Sequence, residues 1–89
     1  MKAILTVMGK DCTGIIAAVS KALTDVNANI LDISQTTMQG IFTMITVVDI
    51  SACTVEFSEL VRLMKDVEAE IGMQITIQHE DIFNSMHRI

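Results

Sequence analysis

Apolar residues recur along this chain at two different periods, and the order in which those periods alternate leaves few folds open. Lys2 to Met8 alternates as a strand does and stops at Gly9. The stretch Gly9-Lys10-Asp11-Cys12-Thr13-Gly14 is polar and glycine-rich, hence a loop. Ile15, Ile16, Val19, Ala22, Leu23 and Val26 then fall on one face of a helix, with Asp11 or Thr13 placed to cap its start and Asn27-Ala28-Asn29 to end it. A second strand, Ile30 to Met38, sets Leu31 and Ile33 against Asp32, Ser34 and Thr36. Gln39-Gly40 turns the chain into a third strand, Ile41 to Val48, which is apolar on both faces. After a loop at Asp49 to Cys53, Phe57, Leu60, Val61, Met64, Val67 and Ile71 trace a second amphipathic helix, capped by Thr54 and closed by Gly72. Met73, Ile75 and Ile77, alternating with Gln74, Thr76 and Gln78, complete a fourth strand from Met73 to His79.

The resulting order, β-α-β-β-α-β, is that of the ferredoxin-like α+β sandwich: a four-stranded antiparallel sheet with two helices on one face. In that fold the first and third strands are central, and here these two are apolar on both faces while the second and fourth are polar on one. With 89 residues there is room for one core only. We therefore expect a single domain over residues 1–80 and a short C-terminal helical tail over 81–89, whose Ile82, Phe83, Met86 and Ile89 sit at helical spacing. The sheet face away from the helices, with Ile4 or Leu5 and Met44 or Ile45 in it, calls for a cover: the tail or a second chain.

Composition excludes several function classes. Aromatic residues make up only 3% of the chain and the net charge is -5, so a nucleic acid would meet a repulsive surface with few rings for its bases to stack on. An RNA-binding module of this fold would need exposed aromatics on strands one and three, and no such exposed set is expected there. Cys12 and Cys53 lack the spacing of a zinc or thioredoxin-like motif and read as free thiols. No apolar run is long enough to cross a membrane, and the alternating start does not resemble a signal peptide, so a cytoplasmic location and no membrane partner are expected.

The segment with the most chemistry is Gly9 to Ile16. A turn from a strand into a helix N-terminus offers unpaired backbone N–H groups and the positive end of the helix dipole, which suit a carboxylate, and Gly14 allows close approach to the backbone. At the other end of that helix, Asn27 and Asn29 each offer a donor and an acceptor. The same residues have a purely architectural reading, in which the glycines permit the turn, Asp11 caps and the asparagines terminate the helix.

Val7-Met8-Gly9-Lys10-Asp11-Cys12-Thr13-Gly14-Ile15-Ile16, the later Asn29-Ile30-Leu31-Asp32-Ile33 and the strand order together resemble an ACT domain. More narrowly, the chain resembles the small stand-alone ACT proteins of bacteria and archaea and, more distantly, the ACT units of the glycine cleavage regulator and formyltetrahydrofolate deformylase. The resemblance implies a non-catalytic regulatory module without a cofactor. Such a module binds an amino acid or similar small metabolite near a homodimer interface, between the glycine loop of one chain and the second strand of another. Carried onto this sequence it singles out Gly9, Asp11, Gly14, Ile15, Asn29 and Ile30 as ligand-binding residues. Cys12-Thr13 departs from the small or Pro residues often found before the second glycine.

Other readings compete. His79-Glu80-Asp81 with His87 has the atoms for a metal but the look of a solvated strand end. Cys12 beside a helix N-terminus could be an activated thiol, yet no base lies near it in sequence. An acylphosphatase-like hydrolase would want an arginine in the first loop, where only Lys10 is present. The main alternative is a ligand-free homo-oligomerisation or partner-binding domain.

Overall fold

The computed structural model describes residues 1–10 and 13–80 of the chain. Its elements follow the expected order: β1 (Lys2–Lys10), α1 (Ile15–Asp25), β2 (Asn29–Met38), β3 (Ile41–Asp49), α2 (Phe57–Ile71) and β4 (Gln74–His79). The strands form one antiparallel sheet in the order β2-β3-β1-β4, so β1 and β3 are central and the polar strands are the edges. This is the ferredoxin-like sandwich. The terminal helical tail expected over 81–89 lies outside the described residues.

The core follows from strand parity. Ala3, Leu5 and Val7 of β1 and Phe42, Met44, Thr46 and Val48 of β3 are buried on one face, against Ile15, Val19 and Leu23 of α1 and Leu60, Met64 and Val67 of α2. Each helix thus buries residues three or four apart, and a fully buried Leu such as Leu23 or Leu60 contributes about 1.5–3 kcal/mol relative to exposure. Thr46 is the polar intruder. It is fully buried, and among the described residues its Oγ1 has no hydrogen-bond partner.

The β2–β3 hairpin closes through Gln39 and Gly40, with φ of 52° and 80° between the paired residues Met38 and Ile41. Positive φ at both central positions is what a two-residue turn needs to match the twist of its strands. Gly72, at φ 69°, ends α2 as expected, its N–H donating to the Glu68 carbonyl.

Four local expectations are corrected. β1 continues through Gly9 and Lys10, which pair with Phe42 and Ile41, so the loop into α1 is shorter than the polar run suggested. Among the described residues no side chain caps α1: its N-cap is Gly14 in a left-handed conformation, Thr13 does not fill the role, and Asp11 lies outside the described residues. Thr54 does not cap α2, which begins from Glu56. Instead its N–H and hydroxyl both donate to the Val26 carbonyl, at 2.8 and 3.3 Å. In β2 a bulge falls between Ile30 and Asp32, so Leu31 is the extra residue and is 46% exposed, while Ile33 and beyond keep the expected alternation.

The two edges differ. On β4, the backbone N–H of Ile75 donates to Glu68 of α2 at 2.7 Å, so a side chain occupies that edge. On β2, every residue but the half-buried Ile30 is exposed.

Candidate functional site

The start of α1 and the helix-side face of the β2–β3 hairpin enclose a cleft of about 270 Å³, lined by Gly14, Ile15, Ile16, Ala17, Gln35, Thr37 and Phe42. The first turn of α1 forms one wall. The Ala18 N–H bonds the Gly14 carbonyl at 3.0 Å, and the N–H groups before it find no acceptor within the helix. They belong to residues that line the cleft, at the helix end that carries partial positive charge. Gly14 makes this possible by adopting φ 87°, a conformation that a residue with a Cβ takes only at a cost, and a Cβ there would meet nothing within 4 Å. Its role is therefore conformational first.

Gln35 and Thr37 form the opposite wall. They lie two residues apart on the helix side of β2, paired with Met44 and Phe42, and both are exposed. An amide and a hydroxyl there supply donors and acceptors facing the helix end. Ile15 and Phe42, 3% and 5% exposed, make an apolar floor. Among the described residues the lining of the cleft holds no charged side chain, and the helix end supplies its partial positive charge.

The six residues expected to bind ligand are not brought together within one chain. Gly14 and Ile15 line this cleft. Asn29 and Ile30 line another, of about 260 Å³, with Thr24, Asn27 and Ala28. The second cleft lies at the far end of α1, about 16 Å away along an eleven-residue helix. Asn27 is committed elsewhere: at φ 61° it closes the helix, and its amide donates to the Ala52 carbonyl at 3.0 Å. Gly9 belongs to neither cleft. It sits in β1 with the Met73 side chain packed against it. Asp11 lies outside the described residues.

Gln35 and Thr37 were not singled out from the sequence. The signal was present in the strand parity, since both share a side with Ile33, but a polar pair on an edge strand looks like solvated surface. Cys53 is a half-buried free thiol, and Cys12 lies outside the described residues. Among the described residues, no three His, Cys, Asp or Glu side chains are grouped to hold a metal; Asp81 and His87 lie outside them. No helix among them is long and apolar enough to cross a membrane.

Comparison with known proteins places these features in context. Residues 2–78 match the model of the ACT domain. A UPF0237 protein of Methanocaldococcus jannaschii is 50% identical over 88 residues, spanning 99% of this chain and 98% of that one. The solved structure of an ACT domain protein from Streptococcus pneumoniae superposes with a TM-score of 0.82 at 41% identity, covering 93% of each chain. A formyltetrahydrofolate deformylase from Pseudomonas syringae pv. tomato shares the fold, with a TM-score of 0.80 at 22% identity over 88% of this chain and 27% of that one.

Proposed function

The chain belongs to the ACT domain family, and from that premise we propose that it is a non-catalytic cytoplasmic regulatory module that binds an amino acid at the α1 cleft of a homodimer. ACT domains are typically regulatory, ligand-binding modules, and the matches indicate no catalytic family. The observation that carries the reading is the cleft where α1 begins at the left-handed Gly14, with polar Gln35 and Thr37 opposite the helix start. Backbone N–H groups of the first turn take the ligand carboxylate, and the β2 side chains take its polar remainder. The volume is near the low end of the roughly 300–1,000 Å³ of small-molecule sites, which favours a ligand of amino-acid size over a nucleotide.

The second chain enters through β2. Its edge is exposed while the β4 edge is occupied by Glu68, which supports pairing at β2. A partner's β2 beside this one brings a second set of polar side chains toward the cleft, and Asn29 and Ile30 then serve the site across the interface. Ligand that binds only the paired form shifts the population toward it. The test is a melting screen of the full chain against the twenty amino acids. A ligand at a hundred times its dissociation constant should add about 2.7 kcal/mol of stability. Absence of any shift at millimolar concentration would overturn the ligand reading and leave the exposed β2 edge to support a ligand-free assembly domain.

A further inference from the structure

The sheet face turned away from the helices is a surface that this reading does not use. Register places Met8, Ile41, Ile45 and Val47 of the central strands on that side, with the buried Ile4 beneath them and Met38 at the hairpin end of β2. Met8, Met38, Ile41 and Ile45 are 44%, 67%, 54% and 40% exposed. A contiguous apolar patch of this kind marks an association surface. The charged groups of the face sit away from its centre: Lys10 at one end of β1, Lys2 at the other with Glu80 lining the same cleft, Asp49 beside Lys2 on β3 with the N-terminal ammonium 3.9 Å from it, and Asp32 beside Val47 on β2.

We propose that this face packs against the same face of a second copy of the chain, with the two-fold axis parallel to the strands and between β1 and β3. The placement of charge selects both occupant and orientation. With that axis, β1 of one copy lies over β3 of the other at the same level along the strands. Lys2 then stands over Asp49 of the partner subunit, and the partner's Lys2 over Asp49, so that unlike charges alternate around the corner of the interface. Thr6 meets the partner's Ile45 and Met8 the partner's Thr43. The aliphatic stem of Lys10 lies over the partner's Ile41 with its ammonium free to reach water. An axis in the sheet plane but across the strands lays β1 over β1 and sets Lys2 against the partner's Lys10, which like-charge repulsion disfavours. Strands of this length in a four-stranded sheet give a projected footprint of about 500–600 Å². Side-chain relief raises that toward the ~800 Å² per partner of a standard interface. Two sheets meeting this way stay roughly aligned, as in other face-to-face packings. Edge pairing at β2 leaves this face free, so the inference stands apart from the amino-acid reading; the two contacts together give four chains.

Sedimentation of the full chain at micromolar concentration tests it. Ile45→Lys, at the centre of the patch, should halve the sedimenting mass and leave the far-ultraviolet circular dichroism unchanged. Ile45→Thr keeps a β-branched shape and should weaken the same association about ten-fold or more, equivalent to ~1.4 kcal/mol. Lys2→Glu sets a carboxylate over the partner's Asp49 and should weaken it most at low salt. If Ile45→Lys loses its fold, the other two variants decide. A mass unchanged in the folded variants overturns the proposal and points to residues 81–89 or a different protein as the occupant. Halving of the mass in Ile45→Lys, with no amino acid shifting the wild-type melt, supports the face-to-face contact and counts against the amino-acid reading alone.

Discussion

The sulfur of Met73 lies where a side chain on Gly9 would begin: a Cβ at Gly9 would stand 2.8 Å from Sδ and 3.3 Å from Cε. Gly9 reads from the sequence as part of a polar, glycine-rich loop, yet it is a strand residue whose missing side chain makes room for a buried methionine, itself 3% exposed. Because the crowding atoms belong to the flexible end of Met73, Gly9→Ala should destabilise by only about 1 kcal/mol. In a Met73→Ala background the cost should vanish, as a double-mutant cycle by chemical denaturation would measure. Equal costs in both backgrounds would show that the glycine is needed for its backbone.

Thr46 carries a hydroxyl into the middle of the core, where its Oγ1 has no partner among the described residues. Replacing a buried, unpaired hydroxyl by a methyl of the same shape removes a desolvation cost. Thr46→Val should raise stability by about 1 kcal/mol, read as an upward shift of the melting temperature. A fall instead would mean that the hydroxyl is paired in solution.

The Asp49 carboxyl is held below its usual range, first by the Ser51 backbone N–H at 2.9 Å, then by the Ser51 hydroxyl, with smaller help from the N-terminal amine and Lys2. A carboxyl depressed in the folded state contributes stability that is present above its unfolded pKa and is lost as pH falls through the folded one. Asp49→Asn should therefore flatten the loss of stability below about pH 4. An acid titration of unfolding that keeps the wild-type slope would remove Asp49 from the account.

Gln35 and Thr37 face the α1 end across the cleft, and each can supply one ligand hydrogen bond. Gln35→Ala or Thr37→Val should weaken an amino acid found in the melting screen by about five-fold each, for ~1 kcal/mol per bond. Fold and mass should not change, since both residues are exposed. Asn29→Ala should weaken binding by a similar factor only in the assembled form, because within one chain Asn29 lines a different cleft.

The element order and the identity of the central strands were legible because each depends on apolar periodicity, which burial enforces residue by residue. The turn at Gln39-Gly40 and the end of α2 at Gly72 were legible because positive φ leaves a mark in residue choice. The ends of elements were less so. Nothing local distinguishes Gly9 in a strand from Gly9 in a loop, because the reason for it, Met73, is sixty-four positions along the chain. Thr54 looks like a helix cap, but its partner Val26 comes from the other helical half of the fold. The candidate site was half legible: Gly14 and Ile15 lie where the loop pattern put them, whereas Gln35 and Thr37 enter it only through hairpin register.

α1 is fastened unequally at its two ends. Where it finishes, the Val26 carbonyl accepts both Thr54 donors and Asn27 reaches Ala52, stitching the helix to the connection between β3 and α2. Where it starts, Gly14 is followed by a turn that no described side chain fastens. Stiffness along the helix consequently runs one way, and amide exchange should be slowest at its C-terminal end and quicken turn by turn toward Ile15. The hydrogen bonds that tie α1 to the rest of the fold thus gather at the end away from the cleft, while the end beside it is held by the packing of Ile15.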